Sequence, residues 1–344
     1  MKYRIITGFA LLAFALNVFG ATLSSRGSIE LVKLLPQSDG VLTLDSNRIF
    51  NTALPDILSA NQPMLTKITS KLDEIKDETG LDLRKFNEVV VGVKTKSISE
   101  EAIELEPVIL ARGDQDSKAI VSVARLVSKG EYQTEKIGDR TVYIFSVEEI
   151  LEKNKSKKSD DDKNILDKAV GKMFDGLSKE IALTAYDEKT VALGTLPRVK
   201  ELLGDAPRVG SNVLSLLGRK PGAMANLGAI LPNGISKFVK LGDDELGETL
   251  DSIRQMQCSI DVDDGRAVLS IMARTLGAEQ AESLEATLSG LRMLGKAVLG
   301  NSQNSDKQVY ARMVENAEIS REENAVMLDL AVPKSDIDIL VGKK

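Results

Sequence analysis

The sequence predicts an α+β protein of two similar tandem units, each a mostly antiparallel sheet covered on one face by helices. The first observation is a series of neighbouring apolar runs joined by short turns, because hairpins of this kind pair antiparallel. The second is an internal similarity: the residue pattern of EPVILARGDQDSKAIVSVARLVSKG at 106–130 recurs in LSIMARTLGAEQAESLEATLSGLRMLGK at 269–296. In both stretches an apolar run ends in Ile-x-Ala-Arg, a polar break follows, and a helical pattern begins.

The first unit reads as a succession of strands, helices and hairpins. Its clearest helix is PMLTKITSKLDEIKDETG, in which Leu65, Ile68 and Leu72 recur at helical spacing and Gly80 ends the pattern. A second helix begins near Ser117. The shorter helices are predicted at RIFNTALPDIL and LPRVKELLG. Strands are predicted at GVLTLDSN, NEVVVGVK and EPVILARG and in the hairpins EYQTEKIGDRTVYIF and KEIALTAYDEKTVALGT.

The second unit repeats this order in a shortened form. A strand at PGAMANLGAIL and a helix at DDELGETLDSIR precede the hairpin MQCSIDVDDGRAVLSIMAR, which turns at Asp263-Asp264-Gly265. The hairpin NAEISREENAVMLDLAVP and the helix KSDIDILVG close the unit. Between the hairpins lies the long helix GAEQAESLEATLSGLRMLGKAVLG, whose predicted apolar face consists of Ala281, Leu284, Leu288, Leu291, Gly295 and Val298.

The spacing of matching residues favours a duplication over coincidence among common patterns. The matches are Ile109 with Ile271, Ala111 with Ala273 and Arg112 with Arg274, each 162 residues apart, and Pro197 with Pro333, 136 apart. The difference of 26 residues is about what the charged loop at 152–164 and the helix beside it add to the first unit. The predicted organisation is a signal peptide at 1–20, a first unit at 21–205 and a second unit at 206–344.

The N-terminal segment MKYRIITGFALLAFALNVFG has the features of a secretory signal peptide. Lys2 and Arg4 precede an apolar run, and Val18 and Gly20 are the small residues expected before a cleavage site. An uncleaved anchor is the alternative, because the run is near the lower limit for spanning a bilayer. The polar stretch ATLSSRGS that follows favours cleavage. We therefore expect an exported protein, periplasmic or extracellular, with no stable membrane span after cleavage.

Composition excludes several classes of function. The chain carries a net charge of -6, which becomes -8 when the signal segment with its two basic residues is removed, so it is a poor candidate for nucleic acid. It contains no histidine, which excludes Ser-His-Asp and Cys-His catalysis and histidine-bound zinc or copper. The absence of tryptophan argues against aromatic stacking platforms. The single Cys258 excludes an intramolecular disulfide.

Four motifs favour structural over chemical interpretations. GLRMLGKA at 290–297 resembles a phosphate-binding loop, but Ala297 lacks the hydroxyl that reaches magnesium and the segment lies within a helical pattern. DVDDG at 261–265 reads as a tight turn instead of a calcium loop, because Met272 occupies the place of the bidentate Glu. Cys258 alternates onto an apolar face, which indicates packing. Consecutive carboxylates at 160–162 lie among lysines and read as a solvated loop.

The signal segment and the stretches LPQSDGVLTLDSNRIFNTALP, TGLDLRKFNEVVVGV and QVYARMVENAEIS…LDLAVPKSDI resemble a family of exported bacterial proteins of the domain-of-unknown-function type. The resemblance extends over nearly the whole chain but rests on scattered packing and turn positions. It implies a bacterial, non-cytoplasmic setting and carries over no catalytic motif.

These observations favour a non-enzymatic binding or scaffold protein of the cell envelope. We assign no catalytic, cofactor-binding or metal-binding residue and expect no cofactor; the partner is an unidentified protein or an apolar ligand. Two alternatives stay open, a carrier of an apolar ligand and an envelope hydrolase that uses carboxylates only. A carrier requires a continuous apolar cavity, a hydrolase requires two inward carboxylates at one cleft, and a binding protein requires an exposed apolar patch.

Overall fold

The computed structural model describes residues 25–99, 102–128, 130–146, 180–218, 220, 222–238, 244–300 and 302–341. The predicted signal peptide at 1–20 and the charged loop at 152–164 both lie outside the described residues. The class α+β is confirmed, because helices accompany extensive antiparallel pairing.

The described helices and strands follow each other in this order. The helices are α1 Ser25–Val32, α2 Ser46–Arg48, α3 Leu54–Ile57, α4 Gln62–Thr79, α5 Ser117–Val127, α6 Leu196–Leu203, α7 Ser211–Leu214, α8 Asp244–Asp251, α9 Ala278–Leu299, α10 Ser305–Asn316 and α11 Lys334–Val341. The strands are β1 Gly40–Asp45, β2 Phe86–Ser99, β3 Ala102–Gly113, β4 Gln133–Ile137, β5 Arg140–Ser146, β6 Glu180–Ala185, β7 Thr190–Gly194, β8 Ala225–Ile230, β9 Ile253–Asp263, β10 Arg266–Thr275, β11 Glu318–Glu322 and β12 Ala325–Pro333. A π-helical turn at Ile49–Ala53 and single 3₁₀ turns at Leu83–Lys85, Ser215–Leu217 and Ile235–Phe238 complete the set.

The chain divides into two compact units that are not contiguous in sequence. Within the described residues, the first unit contains Arg26–Ser46 and Leu72–Gly210. The second contains Asn47–Lys71 and Ser211–Lys344. The segment Asn47–Lys71 thus belongs to the compact unit formed by the C-terminal part of the chain.

In the first unit the strands form an antiparallel sheet in the order β1-β2-β3-β7-β6-β5-β4. Helix α5 covers one face, where its Val121 packs in a cluster with Phe86 and Val191. We call this the α5 face. Strand β3 places Ile109 and Ala111 on it, since Ala111 pairs with Val191 across the ladder.

Helix α6 covers the opposite face of this sheet. Gly92 lies on that face, where an added Cβ would be 2.6 Å from the Ser38 hydroxyl. Arg198 of α6 donates a hydrogen bond of 2.8 Å to the same hydroxyl, which places α6 directly above this part of the sheet. Val108 and Leu110 point to this α6 face and are fully buried.

In the second unit the strand order is β8-β9-β10-β12-β11, again antiparallel throughout. The first half of α9 covers one face, where Leu284 packs with Ile253 and Val326. The opposite face is covered beside β8, because Gly228 approaches Leu216 of the 3₁₀ turn so closely that an added Cβ would be 2.7 Å from the Leu216 Cβ.

The prediction that helices cover one face of each sheet is wrong, because both sheets carry helical segments on both faces. The strands themselves contain the reason. In the first unit, runs such as VVVGV and PVILA are continuously apolar, which is typical of strands buried on two sides, whereas a half-buried strand alternates. A duplication also predicts that Ile109 and Ile271 occupy equivalent buried strand positions. Both are half-buried, so the expected burial is corrected.

Candidate functional site

One candidate for a chemical site is a row of charged side chains across the first-unit sheet. Strand register places Asp45 opposite Glu88, and Glu88 opposite Arg112. Burial raises the pKa of Glu88; the Arg112 guanidinium acts in the opposite direction, and the nearby Asp45 adds to the rise. Arg112 in turn donates to the Thr190 hydroxyl at 3.1 Å and lies 3.9 Å from the Asp187 carboxylate.

This row meets one requirement of a carboxylate hydrolase and fails another. Two acidic side chains do lie side by side, as such chemistry needs. However, Asp45 is 8% exposed and Glu88 is 7% exposed, so a substrate in solution does not reach the pair. Among the described residues, no group of three or more acidic or cysteine side chains could hold a metal ion. The row therefore favours a structural role.

A second buried charge, Arg198, is also explained by packing. Its side chain is fully buried on the α6 face and pairs with Glu201. The same guanidinium donates to the Gln37 carbonyl at 2.9 Å and to the Ser38 hydroxyl at 2.8 Å. Burial lowers the pKa of Arg198, with Glu201 opposing that change. Arg198 thereby fixes the loop before β1 against α6, although its buried Nε has no hydrogen-bond partner among the residues that the structure describes.

The motifs considered in the sequence have structural roles. Asp264 and Gly265 form the two-residue turn between β9 and β10 and both have positive φ, so the turn prediction is confirmed. The segment GLRMLGKA lies inside α9, as predicted. Burial raises the pKa of the Cys258 thiol to about 11, which keeps it protonated and unreactive at neutral pH.

The remaining candidate is the second half of α9, which carries a large solvent-exposed apolar surface. On one side this half is fixed to α10. Arg292 donates to the Ala317 carbonyl at 2.9 Å, Lys296 bonds to Glu315 at 2.5 Å, and an added Cβ on Gly295 would be 3.2 Å from Val314. Lys296 lowers the pKa of Glu315, which keeps this pair ionised.

The other side of this half-helix faces solvent. Leu291 is 50% exposed, Met293 68%, Leu294 63% and Val298 75%. At about 100° per residue, these side chains fall with Gly290 and Ala297 within roughly 160° of the helix circumference. We call this set, Gly290, Leu291, Met293, Leu294, Ala297 and Val298, the α9 apolar surface. It contains no charged residue.

The sequence reasoning predicted this helix but not its exposed surface. It placed Leu291 and Val298 on one apolar face with Ala281, Leu284 and Leu288. Ala281 and Leu284 are buried in the second-unit core and Leu288 packs against it, but this cluster does not continue beyond Leu288. Helical spacing alone could not show where the core contact ends, because the apolar pattern continues through both halves of α9.

Comparison with known proteins gives little further information. No protein-family model matches the chain, and no curated protein does. Among solved structures, crystal form III of TP0453 aligns over 91% of this chain and 98% of its own, with 8% identity and a TM-score of 0.43. Crystal form IV of TP0453 aligns over 92% and 100%, with 9% identity and a TM-score of 0.42. Similarity at this level assigns neither a family nor a function.

Within the part of the chain that the structure describes, no helix has both the length and the apolar character needed to cross a bilayer.

Proposed function

We propose that this protein is an exported, non-enzymatic binding or scaffold protein of the bacterial envelope, which makes a protein–protein contact through the α9 apolar surface. The observation that carries the proposal is the group of four large apolar side chains, each at least half exposed, on one side of a helix. Contiguous exposed apolar patches on a folded domain usually mark an interaction site. The salt bridge between Lys296 and Glu315 holds the helix against α10, so the surface is presented on a fixed element.

The same observation favours a binding protein over the two alternatives. In a carrier, large apolar side chains such as Leu294 would line an interior cavity, whereas these face solvent. In a hydrolase, a carboxylate pair would be accessible, whereas Asp45 and Glu88 are buried.

Site-specific photo-cross-linking in the expressing bacterium tests the contact. A photoreactive phenylalanine analogue at Leu294 should yield discrete cross-linked species, whose composition mass spectrometry identifies. The matched control carries the analogue at Leu126, which is 78% exposed on α5, and should yield none. Equal cross-linking at the two positions, or none at Leu294, would contradict the proposed contact.

Export is the second part of the proposal and rests on Lys2, Arg4 and the apolar run that follows. The N-terminus of the protein purified from the envelope fraction should begin at Ala21, which intact-mass measurement detects. A membrane-retained species that keeps its first twenty residues would show instead that the segment is an anchor.

We propose further that the two units arose by duplication of one unit. The order β1-β2-β3-β7-β6 corresponds to β8-β9-β10-β12-β11, and in both units the helix after the third of these strands packs on the face of the matched isoleucine. Arg112 also bonds to Thr190, the first residue of β7, and Arg274 bonds to Asn324, the residue before β12. The units differ in two respects. Hairpin β4–β5 has no counterpart among the described strands of the second unit. The last helix lies on different faces, because α11 packs on the same face as α9, whereas α6 packs on the face opposite α5.

A further inference from the structure

Among the described residues, no contact explains why position 290 is a glycine. It lies in the middle of α9, where glycine destabilises a helix by about 1 kcal/mol relative to alanine. A Cβ added to Gly290 would meet no atom of the described part of the chain within 4 Å. Gly295, five residues later, differs, because a Cβ there would press on Val314 at 3.2 Å and the close packing of α10 accounts for the glycine.

We propose that Gly290 admits a side chain of a second copy of this chain, and that two copies associate through antiparallel pairing of their α9 apolar surfaces. The proposal names the partner in the contact proposed above and rests on that contact. It follows from three properties of the surface: the order of large and small residues, the absence of charge, and the exposed area.

The order of residues is self-complementary about Leu294. Gly290 and Val298 lie four residues to either side of Leu294, and Leu291 and Ala297 lie three residues to either side. In an antiparallel pair with its two-fold axis at Leu294, each small residue therefore faces a large one: Gly290 faces Val298 and Ala297 faces Leu291 of the other copy. Such alternation lets helices approach closely while their side chains interdigitate.

The absence of charge removes the usual obstacle to self-association. A two-fold axis places the same patch of each copy against itself, so a patch of one sign would repel its copy. The α9 apolar surface has no charged residue. The nearest basic side chains, Arg292 and Lys296, lie on the other side of the helix, bonded to the Ala317 carbonyl and to Glu315.

The exposed area predicts a weak and reversible dimer. The four large side chains present roughly 500 Å², within the range of functional patches on single domains. Two copies would bury about 1,000 Å² in total, near the lower limit for a specific interface. We therefore expect dissociation constants of about 1 µM to 1 mM.

Sedimentation equilibrium over a range of concentrations tests the pairing. The full chain lacking the signal segment should change from monomer to dimer, and Leu294→Glu should weaken the dimer at least about tenfold, because it places two carboxylates at the axis. Leu126→Glu makes the same substitution at an exposed leucine of α5 and should leave the dissociation constant unchanged. A wild-type chain that stays monomeric at about 1 mM, or equal effects of the two variants, would overturn the proposal.

Gly290→Leu separates an interface from a folding role. The larger side chain has open space in the monomer, so the thermal midpoint should rise or stay unchanged while the dimer weakens at least about tenfold. Ser289→Leu, one residue earlier and off the α9 apolar surface, should leave the dimer unchanged. A Gly290→Leu variant that dimerises as well as the wild type contradicts the proposed pairing.

These results also distinguish this proposal from the proposed function. Cross-links from Leu294 to a different protein, with a monomeric chain in the centrifuge, would leave the binding function in place and exclude the self-pairing. Cross-links only between copies of this chain support both. No cross-links from Leu294 contradict both.

Discussion

At the scale of single residues, Gly92 shows how closely the first unit is packed on the α6 face. Its missing side chain leaves room for Ser38, whose hydroxyl accepts from the buried Arg198. The loop before β1 therefore depends on a glycine in a neighbouring strand.

Gly92→Ala should reduce the free energy of unfolding by about 1–3 kcal/mol, because the added methyl displaces Ser38 and overpacks this face. Urea titration followed by circular dichroism measures the loss. Gly222→Ala is the control, since a Cβ at Gly222 meets nothing within 4 Å, and it should change stability by less than about 0.5 kcal/mol. Equal effects would show that the space at Gly92 is not required.

Glu88→Gln should make the protein more stable at neutral pH. Burial raises the pKa of Glu88, so the folded state holds this proton more tightly than the unfolded chain does. The stability gained from that proton is present below the unfolded pKa and is lost as the pH rises through the higher folded pKa. The amide cannot ionise, so the variant should not show this loss.

Free energies of unfolding from roughly pH 4 to pH 8, compared between wild type and variant, isolate the contribution of Glu88. Other carboxylates, including Asp82, whose pKa Arg84 lowers, titrate in both proteins and cancel in the difference. Glu322→Gln on the exposed strand β11 is the control. A difference curve that is flat with pH would show that Glu88 does not lose a proton in this range.

Residue-level prediction succeeded where the signal is local. Gly265, at a predicted turn, has a positive φ. The row of Asp45, Glu88 and Arg112 could not be found in the same way, because strand register alone brings these residues together from three separate strands. Register is a property of the whole sheet, and no short window of sequence contains it.

At the scale of elements, α9 has two halves that differ in what they contact. Leu284 is buried against Ile253 and Val326, and Leu291, two turns later, is half exposed. The same spacing of apolar residues therefore places side chains in the core in the first half of α9 and on the solvent-exposed surface in the second half.

Leu284→Ala should reduce the free energy of unfolding by about 2–5 kcal/mol through the cavity it leaves. Leu291→Ala, the matched change on the exposed half, should reduce it by less than about 0.5 kcal/mol. Equilibrium unfolding in urea at a concentration where the chain is monomeric compares them. Similar losses at both positions would mean that Leu291 is buried in solution.

The predicted elements were mostly those with strong periodicity or tight turns. Helix α4 begins and ends close to the predicted residues, with Pro63 in its first turn. Helix α10 was not predicted, because the apolar residues of SDKQVYARMVEN are confined to 309–314 and form no repeated stripe at helical spacing. Its N-cap, Asn304, which accepts from the Asp306 and Lys307 amides, was the available signal.

At the scale of the molecule, the proposed duplication gives Ile109 and Ile271 equivalent positions. Each lies on the third strand of its unit, and each pairs with a leucine of the strand beside it, Leu193 or Leu328. Both side chains are half-buried.

Ile109→Ala and Ile271→Ala should therefore reduce the free energy of unfolding by similar amounts, about 1–3 kcal/mol each. Arg112→Ala and Arg274→Ala should also match each other, at about 1 kcal/mol, because each loses one hydrogen bond to the hairpin that follows. Denaturant unfolding monitored by hydrogen exchange in each unit provides the comparison. A difference of several kcal/mol within either pair would argue against a common origin of the units.

The core of the second unit is formed by segments that lie far apart in the sequence and are therefore synthesised at different times. Ala53, Leu54, Ile57 and Leu58 pack on Val262, and Ile337 of α11 packs on the same cluster. During translation, some two hundred further residues must be added after Leu58 before it can contact Val262. Contacts so distant in sequence close slowly, since a long loop must be ordered first. Until Val262 has been made, the early segment of the second unit cannot complete the cluster that buries Leu54 and Ile57.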